Sequence, residues 1–540
     1  MSRVLCFGLD GADHALVVDL LADGKLPTIS RLAREGAFGP LRSTIPAVTP
    51  TAWSSFLTGL NPAGHGIFNF ATNPNRAPQR VESAASRTGT PLWRTIGAAG
   101  KRSAFVEVPF TYPPEPIDGV LVTGYGGPIT PEIVPSKARE KILGAHPGLV
   151  TAHHPKAERW WEDFDGFTRK LLDHVDQLAD TCALVLDLEP DLSLLAVDFM
   201  SSDFAGHLAW NRLDETHPAH DPANAGDELV QVYEAIDRAC GELAQRAELA
   251  WGEEPTVLIM SDHGMKPIHW VFHANRWLEE MGLLKYRRRS LQPLKGGRLD
   301  VLAKVDQRLA RTTTWYGRTL DALPVTRPAD DRTFADVDFG RTRAYCFGTG
   351  GQIYLGEATG AWKDTRLTDE IAKAVGDIRH PETGEPAFEV RRKEEIYRGT
   401  HLDRAPELVI LSHDERIHVD SSRRAWSQAF DRHDRLDPEH FYGYSGHHGL
   451  NGILAAAGPG IRVADVPAGS EITQVPATLL ALLGIASTGL DGEPIEAILE
   501  DAEPRETVSA SPEARDEGSS VYSADEEARM LERLRDLGYE

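Results

Sequence analysis

Three short apolar runs in this chain end on aspartate. VLCFGL is followed by Asp10, LSLLAV by Asp198, and PTVLIMS by Asp262-His263-Gly264. Apolar runs without polar alternation are the mark of strands buried on both faces, as in a parallel sheet covered by helices. In a doubly wound sheet, ligands gather at the carboxyl ends of the strands. A charged residue at the end of a buried strand must be paired or bind metal, because burying it alone is strongly unfavourable. Asp10, Asp198 and Asp262 are therefore read together, as candidates for one site.

Helical periodicity fills the gaps between the runs, over 15–22, 28–35, 91–99, 137–143, 167–188 and 228–249, with further strands over 102–108 and 119–122. Strands alternating with helices predict an α/β fold, a doubly wound sheet with helices on both faces. From 282 to 443 the alternation weakens: 286–318 is basic, and strands are expected only over 345–355, 387–390 and 407–411. This stretch is read as an inserted cap region. The core pattern resumes with NGILAAAG at 451–458 and a helix over 474–483. A segment rich in Pro, Ser, Glu and Arg then leads into a charged amphipathic helix over 524–537. The expected division is core over 1–281, cap over 282–443, core again over 444–501, and linker with terminal helix over 502–540.

With 540 residues the chain has room for a large core and more than one domain. A formal net charge of −24 argues against a nucleic-acid polymer or an anionic membrane as main partner. It leaves a small anionic substrate open, because a local pair of metal ions overrides the global sign. Cys6, Cys182, Cys240 and Cys346 are far apart and form no C-x-x-C pair, so neither a disulfide framework nor a zinc ribbon is expected. The apolar run before Asp10 is too short for a signal peptide or a membrane span, and a cytoplasmic protein is expected.

Residues 44–69, TIPAVTPTAWSSFLTGLNPAGHGIFN, hold a Pro-punctuated loop and a helix expected over 51–57. A threonine just ahead of a helix has two uses. Its hydroxyl can cap the helix, or it can act as a nucleophile over the helix's positive end, where phosphate is welcome. Asp203 and His207 stand four apart in SSDFAGHLAW, so on a helix both face one ion; Asp198 is the alternative carboxylate. His447 and His448 precede the last core strand and point apart on an extended chain, so one of them is the candidate ligand. Such a mixed Asp/His set suits zinc or manganese better than calcium. Two ions roughly 4 Å apart would clamp the attacking and leaving oxygens of a phosphoryl group. Other features point to structure. YGGP and FGTGG lack a dinucleotide-binding context and read as turns; Arg287-Arg288-Arg289 reads as a solvated face, Trp160-Trp161 and Trp210 as packing, and His217 and His220 as a loop.

The motifs LDGAD, PTISRLAREGAF, TIPAVTPTAWSSFLTGLNPAGHGIF, DFAGH, SDHGM, HANRWLEEMG and GHHGLNGILAAAGPGI run in order from residue 9 to residue 461. Together they resemble the type I phosphodiesterase/nucleotide pyrophosphatase family of the alkaline phosphatase superfamily, in its prokaryotic branch of predicted phosphohydrolases and phosphomutases. The resemblance implies an alkaline-phosphatase-like fold and a phosphodiester or phosphomonoester hydrolase acting on a small-molecule phosphate ester. Carried over residue by residue, one metal is held by Asp10, Thr49, Asp262 and His263, and the other by Asp203, His207 and His448. Thr49 is the implied nucleophile, through a phospho-threonine intermediate, and the two ions are divalent, zinc or manganese. The family's phosphate-binding Asn falls on Phe70 here, which leaves Asn69 beside it as the candidate phosphate contact. No cysteine stands in the C-x-P-x-R context of a sulfatase, and Thr49 stands where independent-type phosphoglycerate mutases use serine. The alternatives are a phosphomutase or phosphonate hydrolase on the same site, or a catalytically inactive metal-binding protein with this fold.

Overall fold

Eighteen strands are described, in chain order: β1 (Val4–Leu9), β2 (Ala37–Arg42), β3 (Arg102–Val106), β4 (Gly119–Val122), β5 (Ile133–Val134), β6 (Leu192–Phe199), β7 (Thr256–Met260), β8 (Gly264–Pro267), β9 (Trp270–His273), β10 (Ala344–Cys346), β11 (Gln352–Leu355), β12 (Phe388–Arg392), β13 (Leu408–Ser412), β14 (Ile417–Asp420), β15 (Phe430–Arg432), β16 (Gly446–Gly449), β17 (Asn451–Ala457) and β18 (Ala464–Asp465). The computed structural model describes residues 3–73, 80–151, 159–287, 336–421, 429–436, 443–486, 488–500, 507–508, 521–522, 527 and 530–531. Arg288, Arg289 and most of the expected linker and C-terminal helix lie outside the described residues.

Nine strands make the main sheet, in the order β18-β2-β17-β7-β1-β6-β3-β4-β5. β1 lies between β6 and β7 and runs parallel to both. Its side chains alternate between two helical layers. Leu5, Phe7 and Leu9 pack with the helices His14–Ala22, Pro27–Glu35, Phe164–Leu188 and Glu228–Trp251. Val4 and Cys6 pack with Thr49–Thr58, Leu92–Ala98 and Gln474–Leu482 on the opposite face. Every residue of β1 is buried, which is why its sequence shows no polar alternation. Each large apolar side chain so buried contributes about 1.5–3 kcal/mol of transfer free energy. The α/β architecture with helices on both faces matches the expectation.

The sheet is mixed rather than wholly parallel, because β17 runs antiparallel to both β7 and β2. β2 escaped the sequence reading: its AFGPLR carries two residues that weaken strands, Gly39 and Pro40. Both are tolerated for local reasons. A Cβ on Gly39 would lie 2.9 Å from Val466 Cβ, and β18 pairs only with Ala37 and Phe38, leaving Pro40 beyond its reach. The expected strand over 345–355 is two strands, β10 and β11. Gly348, Gly350 and Gly351 turn the chain between them with φ of 78°, 74° and 69°, a region that favours glycine.

A second set of strands carries its own apolar cluster, which includes Phe272, Tyr345, Phe388 and Ile410. It comprises a four-stranded sheet β10-β11-β13-β12 and a three-stranded sheet β14-β9-β15. β9 and the helix Ala274–Glu280 belong to this cluster through Phe272, Ala274 and Leu278. His273 lies buried between two carboxylates, Asp420 at 3.0 Å and Asp431 at 3.1 Å, and so ties β9 to β14 and β15. The remaining two-stranded ribbon, β8 with β16, links the ends of β7 and β17.

Candidate active site

Because β1, β6 and β7 are parallel neighbours, whatever follows them leaves from one end of the sheet. Asp10 directly follows β1, and Asp262 and His263 follow β7. Asp203 occupies the first turn of the Ser201–Leu213 helix that follows β6, with His207 one turn further on. The β8–β16 ribbon sets Met265 opposite His448 and so returns His448 to this end of the sheet. Two triads result: Asp10 with Asp262 and His263, and Asp203 with His207 and His448, the potential ligand atoms of each within 4.8 Å of one another. The rings of His263 and His448 stack with centroids 3.8 Å apart, so the triads adjoin.

Asp198 lies inside β6 opposite Gly8, buried, and belongs to neither triad. His447 and His448 do point apart. His447 Nε2 lies 2.6 Å from the Glu415 carbonyl, while His448 Nε2 lies 3.1 Å from His207 Nε2. The helix expected from residue 51 starts at Thr49, where Pro50 in the first turn is pre-set for helical φ. Val48 is its N-cap, and no side chain caps it. Thr49 is therefore not a capping residue; its Oγ1 lies 3.4 Å from His263 Nε2. Asn69 packs against the glycine turn: a Cβ on Gly348 would fall 1.4 Å from its Nδ2, and its Oδ1 accepts from Phe70 N at 2.8 Å. Trp160 packs on Trp161 and Phe164, and the buried His217 has its Nε2 3.1 Å from the Ser445 carbonyl.

All three imidazoles share one arrangement. His207 Nδ1 lies 2.9 Å from the Gly446 carbonyl, His263 Nδ1 3.1 Å from the Gly264 carbonyl, and His448 Nδ1 3.0 Å from the Ala47 carbonyl. A carbonyl only accepts, so each Nδ1 carries the proton and each Nε2 turns a lone pair inward. The Nε2 atoms of His207 and His448 then face each other with no proton between them, an arrangement that a cation stabilises. The carboxylates follow the same rule. Asp10 Oδ2 accepts from Trp53 Nε1 at 2.8 Å, and Asp262 Oδ1 accepts from Gly11 N at 3.2 Å and His263 N at 2.9 Å. Their other oxygens, with Asp203 Oδ1, are buried without a hydrogen-bond partner. In Asp10, Asp262 and the three histidines one atom is anchored and one is left to donate to a metal, as ligands held by a supporting shell are. Sequence reasoning missed Trp53. Its position four residues after Thr49, on the same helical face, was the available signal. The backbone carbonyls that orient the histidines leave no sequence signal.

The electrostatics agree. Burial pushes the Asp10 carboxyl well above the usual carboxylate range, aided by Asp262, Asp198 and Asp203, while the Trp53 hydrogen bond acts against it. Burial likewise raises Asp262, to about 7. Burial would raise Asp203 too, but His207 and His448 outweigh it and hold that carboxyl below its ordinary value. Burial lowers His207, and lowers His263 far more, so both imidazoles are neutral near pH 7. Three buried carboxyl groups beside the imidazoles of His207, His263 and His448 form a donor set that fits divalent cations.

A doubly wound sheet bearing this Asp/His constellation at its strand ends defines the class as that of the alkaline phosphatase superfamily. The chain belongs to the type I phosphodiesterase/nucleotide pyrophosphatase family, whose model matches residues 4–434. It is accordingly a hydrolase acting on phosphoric ester bonds. Two solved structures share the fold. Murine ectonucleotide pyrophosphatase/phosphodiesterase 5, an inactive threonine-to-alanine form in complex with AMP, is 15% identical, with a TM-score of 0.53 over 93% of this chain and 100% of that chain. The human ectonucleotide pyrophosphatase/phosphodiesterase 5 is 16% identical, with a TM-score of 0.52 over 92% of this chain and 100% of that one. No curated protein matches the chain by sequence. His448 lies beyond the matched range, so its place rests on geometry alone. Among the described residues no helix is long and apolar enough to cross a membrane.

Proposed function

We propose that this protein hydrolyses phosphodiesters or phosphomonoesters of small molecules through Thr49, with two divalent cations held by the two triads. The observation that carries the reading is the shared orientation of His207, His263 and His448, each anchored through Nδ1 with Nε2 turned inward. Asp10, Asp262 and His263, with the Thr49 hydroxyl, would hold one cation; Asp203, His207 and His448 would hold the other. The nitrogen and oxygen donor set favours zinc, with manganese as second choice. The cations supply Lewis-acid charge that favours ionisation of a neighbouring hydroxyl and offsets charge on the attacking and leaving oxygens.

The chain's own residues do the rest. Thr49 stands in the first turn of a ten-residue helix, whose positive end attracts the phosphoryl anion. Its Oγ1 gives up its proton to solvent and attacks phosphorus, the new P–O bond forms as the ester P–O bond breaks, and the alcohol departs with a proton from solvent. Water then attacks the phospho-threonine, releasing phosphate or a monoester and restoring the hydroxyl. The murine relative, inactive as a threonine-to-alanine form and complexed with AMP, supports a threonine in this role.

The test is hydrolysis of bis-p-nitrophenyl phosphate by protein loaded with zinc or manganese, with Thr49→Ala beside it. Loss of turnover by about a thousandfold or more in Thr49→Ala, with metal retained, is the expected result. Mass spectrometry of acid-quenched wild type should find a 4-nitrophenyl phosphoryl group on Thr49. Unchanged activity in Thr49→Ala would remove the nucleophile from the account.

A further inference from the structure

A cavity opens beside His207 and His448 and runs toward β13 and β14. Its walls are largely apolar, with Val48, Ile268, Val271, Ile410, Ile417 and Tyr444 among them. The imidazoles of His418 and His433 also face it; burial pushes each down to about 4, so neither carries charge near pH 7. Among the described residues lining it there is no lysine or arginine, and its carboxylate, Glu415, is paired with Lys266 at 3.6 Å. Thr349, at the glycine turn, brings a buried hydroxyl without a hydrogen-bond partner.

The position of Thr49 says which part of a substrate this cavity meets. Its hydroxyl lies against His263, on the side of the Asp10–Asp262–His263 triad. In-line displacement sends the leaving oxygen away from the nucleophile, toward Asp203, His207 and His448. The cavity opens at two of those three residues. Resting on the hydrolase reading above, we infer that it receives the leaving alcohol, and that it selects an uncharged apolar or aromatic alcohol over an anionic leaving group such as pyrophosphate. Apolar walls reward an apolar substituent, and because Lys266 already pairs with Glu415 and no lysine or arginine stands in the lining, an anionic substituent would lose its hydration there without gaining a counter-charge; both act on the difference between substrates, which is what specificity measures. The Thr349 hydroxyl offers a neutral substituent one hydrogen bond.

The experiment compares methyl 4-nitrophenyl phosphate with its 3-carboxylate analogue, which differs in the charge of the leaving phenol. Wild-type protein should favour the neutral ester in kcat/KM by roughly tenfold or more. Ser412→Lys places a cation in the half-buried lining and should shrink or invert that preference. Calorimetric titration with the two free phenols, 4-nitrophenol and 5-hydroxy-2-nitrobenzoate, reads the same preference without turnover. Equal kcat/KM for the two esters, or equal affinity for the two phenols, would overturn the pocket assignment and leave the hydrolase standing. Absence of turnover on any ester by metal-loaded protein would overturn the hydrolase reading and this inference with it.

Discussion

Trp53→Phe isolates one hydrogen bond of the candidate centre. The Trp53 indole N–H donates to Asp10 Oδ2 at 2.8 Å, and both side chains are buried. Phenylalanine keeps an aromatic ring against Phe56, which Trp53 meets edge-on at 5.2 Å, but removes the donor. Asp10 Oδ2 then lies buried without that partner. A hydrogen bond to a charged group contributes about 1.5–3 kcal/mol. If that stabilisation belongs to the ionised, metal-competent carboxylate, affinity for one cation should fall about tenfold to a hundredfold. The loss should be selective: the Asp10–Asp262–His263 triad weakens, while Asp203, His207 and His448 keep their affinity. Competition against a graded series of chelators, with zinc counted per chain, would separate the two classes. Equal weakening of both sites, or weakening that merely tracks a lower Tm, would refute the argument.

Three further outcomes are expected. Asp10 and Asp262 have folded-state pKa values raised above the ordinary one, Asp262 to about 7, so the native chain keeps protons that the unfolded chain releases above about pH 4. Metal-free stability therefore falls as pH rises through that window, and because cations displace those protons, the Tm gap between zinc-loaded and EDTA-treated protein should widen from about pH 5 to about pH 8; a constant gap would contradict this. Gly8→Ala places a Cβ 2.5 Å from the Trp53 ring and 2.6 Å from Asp198 Oδ1, and should cost about 1–3 kcal/mol in urea unfolding as well as weakening metal binding. His273→Asn removes the imidazole between Asp420 and Asp431, and should destabilise the chain by about 3 kcal/mol, restored in part by a second change of Asp420 to Asn.

What could be read from the sequence followed from burial. β1, β6 and β7 are covered on both faces, so their apolar runs stood out, and the carboxylates after them marked the end of the sheet where a site would lie. The four-residue spacing of Asp203 and His207 came through because it is a property of any helix. Features set by tertiary packing did not. β2 holds Gly39 and Pro40 because Val466 and a very short β18 sit beside it, neither of which is local to 37–42. The ribbon strands β8 and β16 span only four residues each, too few for a period to show, yet their register delivers His448. The start of the Thr49 helix was misplaced by two residues, since Pro50 read as a loop breaker rather than as a first-turn residue. Trp53 was not singled out in the sequence; it is a core residue whose N–H also orients Asp10.

Anomalous diffraction from crystals of the zinc-loaded protein tests the central claim most directly. The account predicts two peaks, one bounded by Asp10, Asp262 and His263 and the other by Asp203, His207 and His448, roughly 4 Å apart with Thr49 Oγ1 beside the first. A single peak, or peaks outside these triads, would contradict it.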